Sequence, residues 1–228
     1  SNRILCISIS AEPQTAFVIP LGGQYTDVTH LSMSNIHTSF DPSFRGALRD
    51  IWSVSGLTTV ISLLKDIFES DVPKYGQNAQ FDAGFLRRKL DVTVRGFVFD
   101  TMLAHHLIQE DPPHNLEHLR ASYTSLPPYD MDIKQWTREF AYSPGIVPDE
   151  ILWAYSAADA DCERRVYGEL RDQLTRHTTS GWWLLHEVAM PLQRALAYSV
   201  SQGVPIDTEH MDSLRAQIID KIEEVESA

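Results

Sequence analysis

The stretch from residue 57 to residue 109 constrains the fold most, because it alternates between helical and strand patterns. Its first part carries apolar side chains at helical spacing: Leu57, Val60, Ile61, Leu64 and Phe68. Pro73 ends this helix. A strand, a helix, a strand and a helix are then predicted over residues 74–77, 81–90, 97–99 and 101–109. This alternation is typical of α/β layer folds, so we predict the α/β class.

Three further segments flank this alternation. Residues 3–10 and 16–20 are β-branched and apolar, with turn-forming residues between them, which predicts a β-hairpin. Residues 21–47 are rich in Gly, Ser, Thr, Asn and His, and we expect a long surface insertion there. Residues 124–148 are rich in proline and are predicted to be mostly loop.

The carboxyl-terminal third is predicted to be helical. A long helix begins at Asp149 and places a mixed stripe on one face: Leu152, Tyr155, Asp159, Cys162, Val166 and Leu170. Further helices are predicted over 182–201 and from 209 onward. The change of composition after residue 178 predicts a second domain, which we expect to be incomplete because its last helix has no stop signal.

Charge and length exclude several classes of protein. The 228 residues include 19 Lys+Arg and 31 Asp+Glu, for a net charge of -12, so any contact with nucleic acid must be local. No apolar run approaches the ~18 residues that span a bilayer, and the amino terminus lacks a signal-peptide layout. We therefore expect a soluble, cytoplasmic protein with no membrane partner.

Two pairs of polar residues stand where a core-facing helix should be apolar. Asn78 and Asp82 are four residues apart, and so are Tyr155 and Asp159, so each pair shares one helix face. Carboxylates from separate elements, with a phenol beside them, suit Mg²⁺ or Mn²⁺. This donor set indicates metal-assisted hydrolysis of a phosphodiester.

The segments KYGQNAQFD, GFVFDTMLAHHLI and YSAADAD resemble the 3′-5′ proofreading exonuclease domain, of the DEDDy type, of family A (bacterial DNA polymerase I-like) DNA polymerases. The resemblance implies an RNase H-like mixed sheet flanked by helices. It also implies a site for two Mg²⁺ or Mn²⁺ ions with Asp82 and Asp159 as catalytic metal ligands, and Tyr155 orienting the attacking water. The implied substrate is the single-stranded 3′ end of DNA.

The resemblance continues beyond the nuclease segments. Residues 187–192 and 203–207 resemble the start of the polymerase thumb helices. We therefore predict an exonuclease domain over 1–178 and the beginning of a thumb over 179–228. The palm and fingers of the same parent chain are the implied partners, in a monomer from the cytoplasm of a bacterium or of a phage-infected host.

The family's first motif, an Asp-x-Glu pair, is expected before Arg3, where only Ser1 and Asn2 stand. In the family this Asp bridges both metals. We therefore expect the chain as given, which lacks the first-motif strand, to bind the ions weakly and to be inactive by itself. An Asp-x-Glu does occur at residues 207–209, but it follows a Gly-Val-Pro-Ile turn and is interpreted as a helix N-cap.

Five residues near Asp82 are predicted to contact DNA: Gln77, Asn78, Phe81, Arg87 and Arg88. Phe81 offers a stacking surface for a base, whereas its neighbour Phe85 is expected in the core. The two arginines could bind backbone phosphates of DNA. A role in solvating the polar face of an amphipathic helix accounts for their presence equally well.

Other polar residues have simpler structural interpretations. Asp100 is predicted to cap a helix, and Asp161 to be solvated. Four histidines are interpreted as surface residues around a loop rather than as a zinc site: His105, His106, His114 and His118. Cys6 and Cys162 are too few for a disulfide framework and are predicted to be buried thiols.

Two other functions remain open at this point. A non-catalytic domain that supports a polymerase would account for the missing first motif, although Asn78, Asp82, Tyr155 and Asp159 argue against decay in the parent protein. A stand-alone exoribonuclease of the RNase D type belongs to the same superfamily, and the thumb-like carboxyl-terminal segment argues against it.

Overall fold

The computed structural model describes residues 4–24, 48–49, 51–139, 147–177, 180–203 and 205–226. Strands β1 (Cys6–Ile9) and β2 (Phe17–Pro20) form an antiparallel hairpin in which Cys6 faces Pro20 and Ile9 faces Phe17. The predicted hairpin is therefore confirmed. A second pair joins β3 (Gly23–Gln24) to β4 (Leu48–Arg49), and the rest of the predicted insertion lies outside the described residues.

The alternating segment forms the helices and strands that its pattern predicts. Helix α1 (Val54–Phe68) begins after Ser53, whose hydroxyl accepts a bond from the Gly56 amide at 3.1 Å. Strand β5 (Lys74–Gly76), helix α2 (Ala79–Leu90), strand β6 (Phe97–Asp100) and helix α3 (Thr101–Ile108) follow, with β5 and β6 parallel. A mixed α/β architecture is the result.

Gly96 makes the turn into β6. Its φ is +64°, and a Cβ at this position would lie 2.5 Å from the Val72 carbonyl oxygen. The same close approach lets the Lys74 amide donate to the Gly96 carbonyl at 2.7 Å. A residue without a side chain is therefore needed for β5 and β6 to pair in this register.

The next three helices along the described chain are α4 (Leu116–Tyr123), α5 (Met131–Glu139) and α6 (Asp149–His177). Helix α4 is capped by Asn115, whose side chain accepts from the His118 amide at 2.9 Å. Helix α5 lies inside the segment predicted to be mostly loop, so that prediction is wrong there. Pro127 and Pro128 precede α5, and Pro144 and Pro148 follow it, so no proline interrupts residues 131–139. The Lys134 amide already makes a helical bond to the Asp130 carbonyl at 2.9 Å. The long helix α6 confirms the predicted one.

The described residues of the carboxyl-terminal part are mostly helical. Helix α7 (Gly181–Leu184) passes through a π-helical turn (Leu185–Ala189) into α8 (Met190–Gln202). Helix α9 (Thr208–Glu226) follows, and no residue of it is buried. The Asp207 carboxylate accepts from the His210 amide at 2.9 Å, which confirms the predicted N-cap.

Helix α6 is the centre of the hydrophobic core. Nine residues, four of them on α6, form the buried cluster: Phe99, Ala104, Leu119, Cys162, Val166, Leu170, Leu174, Leu185 and Met190. Cys162 is therefore buried as predicted, whereas Cys6 is only half-buried. Among the helices that the structure describes, none is both long and apolar enough to cross a bilayer.

The strands do not join into the mixed sheet that was expected. The described residues form three separate two-stranded pairs. Helix α6 packs against β1, β2 and β5, so it contacts both the amino-terminal hairpin and the parallel pair. The hairpin and the parallel pair are therefore connected by packing on α6 and not by hydrogen bonds between their strands.

Candidate active site

A cavity of about 540 Å³ lies between the first hairpin, α2 and α6. Three carboxylates line it: Asp82 on α2 and Asp159 and Glu163 on α6. We call these three residues the acidic cluster. Tyr75 and several apolar side chains form much of the remaining wall. The structure thus brings the two predicted aspartates to one cavity, although they lie on separate helices.

Asp159 is held by two phenols. The Tyr129 hydroxyl donates to Asp159 Oδ1 at 2.9 Å, and Tyr155 also hydrogen-bonds to this carboxylate. Burial raises the pKa of Asp159, and the two phenol bonds partly oppose that rise. Burial and the neighbouring Asp159 also raise the pKa of both tyrosines, so they remain neutral donors.

Among the described residues, no side chain donates a hydrogen bond to Asp82 in this way. It lies exposed at the mouth of the cavity, yet loss of hydration against the cavity wall raises the pKa of its carboxyl to about 6, and Asp100 adds to the rise. Because water still reaches more than a third of the residue, part of this effect is screened.

Glu163 connects the two aspartates electrostatically. It stands one helical turn after Asp159, and its Oε2 lies 3.7 Å from the position that a Cβ on Gly76 would take. Burial, followed by the charges of Asp82, Asp159 and Asp100, raises the pKa of Glu163 well above its usual range. Sequence reasoning missed Glu163, although its i,i+4 spacing from Asp159 was a usable signal.

Tyr129 was also missed. It follows Pro127 and Pro128 in a segment that was predicted to be loop, where an isolated tyrosine has no pattern to mark it. Its ring centre lies 6.1 Å from that of Tyr155. Only the folded chain shows that both hydroxyls reach the same carboxylate.

The junction between β5 and α2 positions Asn78 and Asp82. Asn78 occupies the N-cap position of α2 with a left-handed φ of +53°, but its side chain makes no capping bond. Asp100 supplies the acceptors instead, taking the Asn78 amide at 3.1 Å and the Ala79 amide at 2.9 Å. Asp100 also accepts from the Met102 amide at 2.9 Å, which confirms its predicted cap on α3.

Gln77, the neighbour of Asn78, is engaged within the protein. Its Nε2 donates to the His114 carbonyl at 2.6 Å, and its Oε1 accepts from the Thr101 hydroxyl. These bonds fix the strand end next to the site. A contact from the Gln77 amide to DNA stays a prediction.

The other predicted DNA contacts divide into two groups. Phe81 is 61% exposed at the cavity mouth, with its ring centre 5.5 Å from that of Phe85. Phe85 is half-buried and lines the cavity, so it is not the core residue that was expected. The Arg88 guanidinium lies 5.5 Å from the centre of the Phe85 ring. Arg87 instead donates to the Thr93 hydroxyl at 2.7 Å.

The acidic cluster fits an oxygen-preferring cation in donor type, because its carboxylates are crowded and a positive charge would relieve their repulsion. The spacing fits less well. Within the described ranges, no group of three or more His, Cys, Asp or Glu side chains is arranged to hold a metal ion.

One of the four predicted surface histidines, His105, differs from the prediction, whereas His106 is exposed as expected and His114 and His118 are half-buried. His105 is buried, and its Nδ1 lies 2.6 Å from Nδ1 of His114, while the His106 and His114 rings are 3.4 Å apart. With His118, 5.7 Å from the His105 ring, these residues form the histidine cluster. They were expected at the surface, but His105 packs under α4 because Leu119 and Tyr123 extend the core there.

Asp161 also departs from its prediction, because it is not simply solvated. Its carboxylate accepts from the Gln14 amide at 2.5 Å and pairs with Arg165 at 2.7 Å. The bond from Gln14 docks the turn of the first hairpin onto α6, and the pair with Arg165 lies within the helix.

Comparison with known proteins agrees with this geometry. Residues 3–175 match the family of 3′-5′ exonuclease domains that occur in family A DNA polymerases. The chain belongs to this family. The match includes Asp82, Asp159 and the cavity between them, and 3′-5′ exonucleases of this family typically depend on metal ions.

The similar proteins are DNA polymerases. DNA polymerase I of Synechocystis sp. is 27% identical over 177 residues, which are 75% of this chain and 17% of that protein. The DNA polymerase of Escherichia phage T5 is 24% identical, over 75% of this chain and 20% of its own length. The DNA polymerase of Bacillus phage SP01 is 25% identical, over 74% of this chain and 18% of its own length. The chain therefore spans about a fifth of the length of these relatives.

Proposed function

We propose that this chain is the proofreading 3′-5′ exonuclease region of a family A DNA polymerase, with an RNase H-like core that hydrolyses the 3′-terminal phosphodiester of DNA. One observation carries the proposal. Asp82 and Asp159, which are 77 positions apart in the sequence, open onto the same cavity next to the Tyr155 phenol. Family membership supports the direction of the reaction.

Asp82 and Asp159 would hold the divalent cation, Mg²⁺ or Mn²⁺. When bound, such an ion lowers the pKa of the attacking water and stabilises the leaving oxygen. Tyr155 stays protonated beside Asp159, so its hydroxyl can orient a water molecule while Tyr129 fixes the other side of the carboxylate. Phe81 and Phe85 offer stacking faces for the terminal bases, and Arg88 offers charge for a phosphate.

The wider setting belongs to the same proposal. Residues 179–228 would begin the thumb, and the palm and fingers would be the partners within one monomeric parent protein. The net charge of -12 restricts the contact with DNA to the neighbourhood of the cavity. Because no three ligands converge among the described residues, we expect weak cation binding and little activity from these 228 residues alone.

A titration with Mn²⁺, followed by the loss of the free-ion electron paramagnetic resonance signal, tests the role of the aspartates. We expect weak binding that disappears in Asp82→Ala and in Asp159→Ala. Asp172→Ala is the matched control, since Asp172 lies on α6 but pairs with Arg171 and Arg176 outside the cavity. Equal binding by all four proteins would contradict the proposal.

Protection of DNA ends tests the substrate. A single-stranded oligonucleotide should bind more weakly when its 3′ end is blocked by a terminal phosphate than when it ends in a hydroxyl, and blocking the 5′ end should change nothing. Indifference to both ends would favour the non-catalytic supporting domain. Preference for an oligoribonucleotide would favour the RNase D type of nuclease.

A further inference from the structure

A buried carboxylate connects the candidate site to the carboxyl-terminal helices. Asp100 is fully buried, and Gln193, on α8, is 7% exposed. Gln193 Nε2 donates to Asp100 Oδ2 at 2.6 Å. Gln193 lies outside the residues that match the exonuclease family, which end at 175. A side chain from the following segment therefore reaches into the centre of the nuclease.

Asp100 also contacts the segment that carries Asn78 and Asp82, so it links Gln193 to that segment. Its two oxygens accept the amides of Asn78 and Ala79, the residues that open α2. Asn78 has a left-handed φ of +53°, a conformation that non-glycine residues adopt at a cost and that surrounding contacts must hold. Because Asp82 follows one helical turn later, the direction of its carboxylate depends on this junction.

Gln193 makes a particular contribution to Asp100. The other donors to this carboxylate within the described residues are backbone amides, namely those of Asn78, Ala79, Met102 and Leu103. Among the described residues, Gln193 is the only one that donates to Asp100 from a side chain. Its helix, α8, also packs against α2. A hydrogen bond to a buried charged group is among the stronger ones in proteins.

We propose that Gln193 is a positioning residue for the exonuclease site. Through Asp100 it holds the junction at Asn78 in the conformation that directs Asp82 into the cavity. Its effect on catalysis rests on the function proposed above, but its effect on the junction does not. The carboxyl-terminal helical segment thus contributes to the geometry of the nuclease without touching the substrate.

Gln193→Met tests the proposal, because methionine is close to glutamine in size and has no donor. The readout is amide hydrogen exchange by nuclear magnetic resonance on the whole chain. We expect the Asn78 and Ala79 amides to exchange at least about fivefold faster, since each loses part of its support on Asp100. Amides in the middle of α6 should exchange at the wild-type rate. Gln202→Met, on an exposed residue of the same helix, is the matched control and should leave all of these rates unchanged.

Gln193→Glu provides a second variant that keeps the shape. The introduced carboxylate faces Asp100 at high pH and repels it, so we expect faster exchange at the junction than in Gln193→Met. Lowering the pH protonates the introduced group, restores a donor and should bring the rates, after correction for intrinsic exchange, back towards wild type. A role in stability alone would accelerate exchange across α6 as well.

The outcomes separate this inference from the function. Junction rates in Gln193→Met within twofold of wild type, or a uniform acceleration throughout the chain, would overturn the positioning role. If the junction loosens selectively, Mn²⁺ affinity should fall in the same variant. A wild-type chain that binds neither Mn²⁺ nor 3′ ends would instead overturn the proposed function, while the exchange rates would still decide the role of Gln193.

Discussion

The acidic cluster and the histidine cluster respond to burial in opposite directions. In the acidic cluster, loss of hydration raises the pKa of Asp82 to about 6 and raises the pKa of Asp159 and Glu163 as well. In the histidine cluster, the same loss, together with three neighbouring histidines, lowers the pKa of His105 to about 4. Both environments favour the neutral form of the group they enclose.

This difference fixes two opposite pH dependences. The folded state binds protons at Asp82 more tightly than the unfolded chain does, so that contribution to stability is present below about pH 4 and is lost as pH rises through 6. His105 binds protons less tightly when folded, so its contribution is present above about pH 6.5 and is lost as pH falls towards 4. The pH ranges of the two contributions overlap, so in wild type the change of stability with pH from one group partly cancels that from the other.

Removing the buried histidine should have the largest effect. His105→Asn eliminates a group whose pKa burial lowers to about 4, which corresponds to about 3 kcal/mol between pH 7 and pH 4. The free energy of unfolding, measured with urea between pH 7 and pH 4, should fall less steeply with acidification in His105→Asn than in wild type. His210→Asn, at an exposed histidine of α9, is the control. Equal slopes for His105→Asn and wild type would show that His105 does not cause the acid sensitivity.

Tyr129→Phe should have the next largest effect. It removes a donor to an ionised carboxylate, a loss of about 2 kcal/mol at pH 8. The loss should shrink at pH 4, because the bond to Tyr129 favours the ionised form of Asp159. Tyr123→Phe, at a tyrosine that packs on the histidine cluster, is the comparison. A destabilisation independent of pH would mean that packing of the ring, and not the hydroxyl, accounts for the result.

Asp82→Asn should stabilise the protein slightly. The amide cannot ionise, so the variant avoids the cost of charging Asp82 at high pH, about 1 kcal/mol at pH 8 after allowance for its exposure to water. At pH 3.5 the variant and wild type should be equal. Asp66→Asn, at an exposed residue of α1, serves as control. Destabilisation at pH 8 would show that the Asp82 carboxylate has a favourable partner.

Glu163→Gln should have the smallest effect at acidic pH. At about pH 3.5, below the ordinary range of a glutamate pKa, both side chains are neutral and similar in shape, so thermal unfolding should give nearly the same midpoint for variant and wild type. As pH rises the variant should become the more stable of the two, because wild-type Glu163 then ionises beside Asp82 and Asp159. A variant that is less stable at every pH would remove Glu163 from the acidic cluster.

Local patterns predict the elements on which the site is built. Helical spacing up to Phe68, the strand that begins at Lys74 and the Asp100 cap are properties of neighbouring residues, and the structure has each of them. The pairs at four-residue spacing were also visible, and both aspartates reach one cavity. Their roles in catalysis stay predictions.

The missing parts depend on contacts between distant segments. Tyr129 follows two prolines and gains its role only because α5 and α6 bring it to Asp159. His105 looks like a solvated residue in sequence, yet α4 folds over it and leaves its Nε2 buried without a partner among the described residues. The separate strand pairs likewise reflect where α6 packs, which no local pattern encodes.

Gly96 has a consequence for any library built on this chain. A Cβ at this position would lie 2.5 Å from the Val72 carbonyl oxygen, and φ is +64°. Saturation mutagenesis of the codon should therefore yield only glycine among the variants that fold. Neighbouring codons such as the one for Arg95, which is exposed, should vary widely. The parallel strand pair that leads to the candidate site is therefore vulnerable to a single nucleotide change at a position that does not itself line the cavity.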